Sequence, residues 1–275
     1  MVNVSNLEFG YGKSPVLRNL TLRLQAGNVY CLLGKNGVGK TTLLKLLSGL
    51  LNPTDGSIDV EGEVPFRRTP EFLRDIYFLS EDFISPNLSP IAYAKMYAPF
   101  YHKFDMERFM ELLKLFEVEP ALKLTKMSFG QQKKAMISFA VAANTRILLM
   151  DEPSNGLDIP SKNQFRQAIS SIVTQDKLIV ISTHQAKDLD SLIDPVIIMD
   201  NDGVILNESI SSISEKLYFS IDTQVNPTAL YSELTLGGVL NISLNTSGAE
   251  SVVSIEPLFN ATLKNRDVIV SLFRK

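Results

Sequence analysis

The 275-residue sequence predicts an α/β fold: a core on a mixed sheet, an antiparallel β part at the N-terminus, an inserted helical subdomain and a small C-terminal α+β extension. Three observations predict it. Short apolar runs such as "NVYCLLG", "RILLMDEP" and "LIVISTH" read as buried strands. A polar helix around "SKNQFRQAISSIV" separates the last two, the alternation an α/β core requires. Between Pro86 and Thr145 the pattern turns helical, and after about Asn207 its texture changes again.

The elements follow in order. Asn28–Gly34 is a short buried strand that passes through a glycine-rich turn into "KTTLLKLLSGL". There Leu43, Leu44, Leu46, Leu47 and Leu50 crowd a helix buried on most sides. "NPTDGSIDVEG" carries a turn at Asp55–Gly56 that leads into a strand or hairpin. In the helical stretch, Asp105 can cap a helix in which Phe109, Met110, Leu112, Leu113 and Phe116 recur at helical spacing. "PVIIMDNDGVIL" reads as a hairpin turned at Asp202–Gly203. In the tail, "KLYFSID" and "VLNISLN" alternate like strands. "EPLFNATLKNRDVIVSLF" has helical spacing, with Pro257 tolerable in the first turn. The chain divides into a unit over 1–207, with the helical subdomain at about 86–145, and an extension over 208–275.

Composition excludes several classes. A net charge of −3 from 27 basic and 30 acidic residues is too balanced for a nucleic-acid partner held by bulk charge, and none is expected. The single cysteine, Cys31, rules out an internal disulfide and fits a reducing compartment. Its apolar setting in "VYCLLG" makes it a buried strand residue rather than a nucleophile. "MVNVSNLEFG" has no signal-peptide pattern, and no apolar run approaches the roughly 20 residues that span a bilayer. A membrane role would have to come through a partner. His102, in "PFYHKFD", reads as an exposed residue.

"GKNGVGKT", Gly34 to Thr41, matches G-x-x-x-x-G-K-[ST] between a strand and a helix, the context of a P-loop nucleoside-triphosphatase core. Backbone N–H groups along Gly34, Lys35, Asn36, Gly37, Val38 and Gly39, and on to Thr42, converge on phosphate oxygens. Lys40 can neutralise the β and γ phosphates, and the Thr41 hydroxyl can hold Mg²⁺. Asp151 ends the apolar strand "ILLMD" and brings a carboxylate to the Mg²⁺ position. Glu152 next to it can orient and polarise an attacking water, which points to hydrolysis. A second anion-competent helix start lies in "KMSFGQQKKA". Ser128 and Gln131 form a capping box, Gly130 keeps the first turn bare, and Lys133 and Lys134 follow closely.

This order of motifs resembles the ATP-binding subunits of ABC transporters over roughly the first 205 residues. "MSFGQQKK" resembles that family's signature loop, carried by Ser128, Phe129, Gly130 and Gln131. "SNGLD", Ser154 to Asp158, resembles its D-loop, and His184 stands at the switch-histidine position. Tyr11, in "FGYGKSPVL", falls where the family stacks a ring on adenine. Each has a plainer reading: Tyr11 as a sheet-surface aromatic, His184 as a structural histidine, Asp158 as a helix cap.

The resemblance implies a head-to-tail dimer, as a homodimer or with a related ATPase chain. Each P-loop is then closed by the partner's Ser128–Gln131 turn over ATP. It also implies a separately encoded membrane permease as partner, with the chain cytoplasmic and peripheral on the inner face of the cell membrane. The stretch from Glu81 to Tyr101 is expected to contact that permease. The tail "SIEPLFNATLKN" resembles ATPases of the drug or peptide exporter type, favouring export over import. Two positions depart from the pattern. Glu81 replaces the usual Mg²⁺-contacting glutamine, and Phe129 replaces the first signature glycine. A soluble non-transport ATPase of this type, or a slow-turnover ATP-binding regulatory subunit, is the alternative.

Overall fold

The computed structural model describes residues 1–184, 189 and 192–273. Strands β1 (Val2–Tyr11) and β2 (Ser14–Leu24) form a hairpin, and β3 (Asn28–Gly34) leads into helix α1 (Lys40–Leu47). Strand β4 (Asp55–Val60) pairs antiparallel with β1, so the order β2-β1-β4 forms the N-terminal antiparallel part. Helix α2 (Pro70–Asp75) starts where the Thr69 side chain accepts from the Phe72 N–H, and it feeds β5 (Ile76–Leu79).

The helical stretch then supplies α3 (Pro90–Tyr97), α4 (Met106–Leu115) and α5 (Phe129–Ala142). Asp105 caps α4, its carboxylate accepting the Arg108 N–H at 2.9 Å. Phe109, Leu112, Leu113 and Phe116 are buried, but Met110 is exposed. Steps of three and four keep the first four on one stripe, whereas Met110 is rotated off it. Leu50 is likewise exposed, because α1 ends before it.

Strand β6 (Ile147–Asp151), helix α6 (Ile159–Ser170), strand β7 (Leu178–Thr183) and the hairpin of β8 (Val196–Asp200) and β9 (Gly203–Glu208) complete the core. Six strands form one sheet in the order β5-β6-β7-β3-β8-β9. All neighbours are parallel except β8 and β9, so the sheet is mixed, as expected. Strand β3 shows why it is apolar throughout. Val29, Cys31 and Leu33 face a cluster with Phe109 and Phe139, and Tyr30 and Leu32 face a second with Leu20, Leu43 and Leu44. Alternate residues take opposite faces, and both faces are covered.

The tail adds α7 (Ile210–Lys216), β10 (Leu217–Asp222), β11 (Tyr231–Thr235), β12 (Gly238–Leu244), α8 (Ile255–Lys264) and α9 (Arg266–Phe273). Its antiparallel sheet has the order β10-β12-β11. Two details differ from expectation. Strand β11 was not foreseen, because as an edge strand with no buried residue it carries no alternating pattern. The helical run after Ser254 is two helices, not one. Asn265 leaves helical geometry, and its side-chain amide donates to the Leu230 carbonyl at 2.7 Å. Phe219, Ile242, Leu258 and Ile269 join the same apolar cluster as Val196 and Ile198.

Phe139 of α5 ties the helical subdomain to the sheet, with the rings of Tyr77, Tyr93, Tyr101, Phe104 and Phe109 around it at centroid distances of 4.9 to 6.1 Å. Burial raises the pKa of Tyr77, Tyr93 and Tyr101, that of Tyr101 from 10.0 to about 12. Above pH 10.0 the unfolded tyrosines ionise while the buried ones stay neutral, so stability is lost as pH rises towards about 12. Urea denaturation across that window is expected to show the decline, and Tyr101→Phe to flatten it; an unchanged slope in the variant would refute the assignment.

Candidate nucleotide site

Strands β3, β6 and β7 are adjacent and parallel, so their carboxyl ends deliver Gly34, Asp151 and Thr183 to one rim of the sheet. A cavity of about 570 Å³ opens there. Its lining joins Tyr11, Asn36, Gly37, Gly39, Lys40, Thr41 and Thr42 to Glu81, Asp151, Glu152 and His184. Val16 and Asn155 complete it, and neither was foreseen from the sequence. Asn155 lies inside the D-loop-like segment, and that position was its only signal.

The loop geometry needs glycine. Gly39 sits at φ 103° as the N-cap of α1, and a Cβ there would lie 2.6 Å from Leu17 Cδ2. No side chain caps α1, which leaves its first-turn N–H groups for an anion. Lys40 curls over the loop, its Nζ donating to the Gly34 carbonyl at 2.8 Å and the Lys35 carbonyl at 3.4 Å. Burial lowers the Lys40 pKa, while Glu152, Asp151 and Glu81 draw it back up. The Val38 side chain packs in the apolar cluster below the loop, which leaves only its backbone to face the phosphates.

The acidic half is held as tightly. Thr41 Oγ1 donates to Asp151 Oδ2 at 2.6 Å, and Ser182 Oγ donates to Oδ1. Glu152 adopts φ 45°, and its N–H donates to the Ser182 carbonyl at 3.1 Å. Its Oε1 lies 2.8 Å from His184 Nδ1 and 3.9 Å from Lys40 Nζ. Glu81 Oε1 accepts from Asn155 Nδ2 at 2.8 Å. Tyr11 is 51% exposed, edge-on to Phe9 at 5.0 Å, with its hydroxyl 3.5 Å from Thr42 Oγ1.

Ser128, Gly130, Gln131 and Asp158 do not line this cavity. Ser128 and Gln131 make both bonds of the capping box, at 3.3 and 3.2 Å. Asp158 caps α6, accepting the Ser161 N–H at 2.9 Å, and its pKa is lowered first by the Ser161 hydroxyl and then by this N–H. Phe129 is half-exposed and stacks on Phe83 with centroids 5.8 Å apart. One expectation is overturned. Lys133 does not dress the outer face of the helix start; its side chain is buried and turned inward, donating to the Glu152 and Asn155 carbonyls. His102 is exposed, as read.

A family profile described as "ABC transporter" matches residues 17–155, half of the chain. The chain belongs to the ABC transporter family. ATP-binding domains of that family hydrolyse ATP, and this ABC chain is an ATPase. It is 28% identical to the lantibiotic transport ATP-binding protein SrtF of Streptococcus pyogenes, covering 82% of this chain and 97% of SrtF. It is 27% identical to the spermidine/putrescine import ATP-binding protein PotA of Legionella pneumophila, over 73% of this chain and 57% of that one. In fold it resembles a dimeric ATP-binding cassette solved in a post-hydrolysis state with ADP and Pi. That match has a TM-score of 0.67 and 24% identity, and it covers 76% of this chain and 98% of the other. No described helix is long and apolar enough to cross a membrane.

Ser182 is fully buried, and its hydroxyl is one of two that donate to the Asp151 carboxylate. Ser182→Ala leaves one buried carboxylate oxygen short of a donor, so it is expected to destabilise by about 1–3 kcal/mol. Chemical denaturation checks this, and an unchanged midpoint would show that the bond contributes nothing net.

Proposed function

We propose that the chain binds ATP with Mg²⁺ and hydrolyses it in a head-to-tail dimer that energises a separately encoded membrane permease. The observation that carries this reading is a division of parts. Lys40, Thr41, Asp151, Glu152 and His184 share one cavity, while the Ser128–Gln131 helix start lies outside it. A second copy, or a related ATPase chain, would bring that turn to the γ-phosphate and complete the site. In this reading the Gly34–Thr42 stretch cradles the phosphates, and the Tyr11 face stacks on adenine, a contact of about 1–3 kcal/mol. Glu152 orients the attacking water, and His184 holds that carboxylate and the γ-phosphate region. Gly130 exposes the backbone of the helix start, and Asp158 lies on the segment that crosses to the partner.

The donor set fits Mg²⁺. The described residues hold no cluster of three or more histidine, cysteine, aspartate and glutamate side chains that would cage a metal. Thr41 Oγ1 and Asp151 Oδ2 are 2.6 Å apart in the lining of the cavity, which also includes Glu81. Mg²⁺ favours this arrangement of one or two carboxylate ligands, with phosphate and water oxygens supplying the rest. It would neutralise charge on the phosphates; Thr41, Asp151 and Glu81 would hold it.

The permease would dock on a second cavity of about 550 Å³, lined by Leu50, Arg68, Arg74, Phe78, Tyr97, Phe100 and Tyr101. It adjoins the Glu81–Tyr101 stretch, and Leu50 and Phe100 leave apolar surface uncovered there. Such docking puts the chain at the cytoplasmic face of the membrane. Export is favoured over import by the tail alone: SrtF is named for lantibiotic transport with no direction, and PotA is named for import.

Glu152→Gln should bind ATP without turnover. Its size in solution is expected to shift from monomer to dimer on adding ATP, and the shift to vanish with Ser128→Arg. A monomer with ATP bound would replace the shared-site reading with a different partner chain or a binding-only role. Separately, Glu81→Gln is expected to raise the Mg²⁺ concentration needed for half-maximal ATPase rate. Indistinguishable rates and metal dependence would sink Glu81 as a ligand.

A further inference from the structure

Lys133 has no part in the reading above, yet it is the least exposed of the lysines described. It has 0% exposure, on the α5 helix that begins at the Ser128 capping box. Its ammonium donates to the Glu152 carbonyl at 2.6 Å and the Asn155 carbonyl at 3.0 Å. Both carbonyls belong to one turn, closed by the Asn155 N–H donating to the Glu152 carbonyl at 3.2 Å. That turn holds Glu152 at φ 45°, a conformation a residue with a Cβ keeps only when its surroundings impose it. On its other side the turn reaches Glu81 through the Asn155 side chain at 2.8 Å. A hydrocarbon side chain at this position would leave the buried Glu152 carbonyl and the Asn155 carbonyl without that donor. Burial lowers the Lys133 pKa, and Glu81, Glu152, Asp151 and Asp82 oppose that shift, so the surrounding charge favours the ammonium.

We propose that Lys133 is a positioning residue for hydrolysis: from the helix that starts at Ser128, it clamps the Glu152–Asn155 turn so that Glu152 faces His184 and the cavity. Movement of the Ser128–Gln131 start is thereby transmitted to Glu152 in the same chain. Docking of that start on a partner's nucleotide and the setting of the chain's own carboxylate then become one mechanical event. The inference rests on the assignment of Glu152 as the water-orienting group.

The test measures Lys133→Met, Glu152→Gln and the double variant as full chains with ATP and Mg²⁺, under single-turnover conditions. Lys133→Met is expected to lower the hydrolysis rate by about tenfold or more, as displaced catalytic groups do. The affinity for a fluorescent ATP analogue is expected to change by less than about threefold, because the clamp does not touch the phosphate loop. On the slow residual single-turnover rate of Glu152→Gln, which is too low to sustain turnover, Lys133→Met should cost nothing further, since two residues acting through one group are not additive. Lys133→Gln, which keeps an amide donor, should recover part of the rate, and it takes the place of Lys133→Met if that variant does not fold. A wild-type rate, losses that multiply in the double variant, or a parallel loss of nucleotide affinity would overturn the proposal. Wild-type turnover in Glu152→Gln itself would remove the Glu152 assignment instead, an outcome distinguishable from the others.

Discussion

A sheet covered on both faces leaves polar chemistry only its rims. Here α1 and the N-terminal antiparallel strands cover one face, and α4, α5 and the tail cover the other. Parallel strands point their carboxyl ends the same way, so the residues that end β3, β6 and β7 collect on a single rim. Lys40, Asp151, Glu152 and His184 are placed by that arrangement, and Glu81 by the parallel strand β5 beside β6. The loop after β3 ends in the uncapped start of α1, and β6 ends in two acids. Strand β7 ends beside a hydroxyl that satisfies one acid and a histidine that meets the other.

Burying charge at that rim demands partners, and the structure supplies backbone and hydroxyl groups more often than opposite charges. Lys40 rests on two loop carbonyls and Lys133 on two turn carbonyls. Asp151 receives two hydroxyls. Such partners are fixed by the fold itself, so charge and backbone geometry become mutually dependent. A carbonyl cannot be neutralised by pH or screened away by salt, as an ion-pair partner can.

Much of this was legible in the residues. The strand–glycine loop–helix pattern located Lys40 and Thr41, and an apolar strand ending in acids located Asp151 and Glu152, because local order fixes those side chains on one rim. The capping box was readable for the same reason: its two bonds span three residues. The orientation of Lys133 was not readable. Its neighbour Lys134 remains partly exposed, and only the packing of α5 against the turn after β6 decides which lysine is buried. Asn155 and Val16 escaped notice because their roles depend on segments far apart in sequence. Strand β11 and the break at Asn265 failed differently: one has no buried face to impose a pattern, and the other turns on a tether to Leu230.

The tail is continuous with the core in one further respect. Phe219, Ile242, Leu258 and Ile269 share the cluster that contains Val196 and Ile198, and Arg266 reaches back to Asp200 at 2.7 Å. The most protected amides of segments that share a core exchange only when the whole fold opens. A ligand held some distance away, at the rim of the large sheet, therefore slows exchange in the tail as well as around itself. The most protected amides of α8 and α9 thus carry a record of whether the nucleotide site is filled, without touching it.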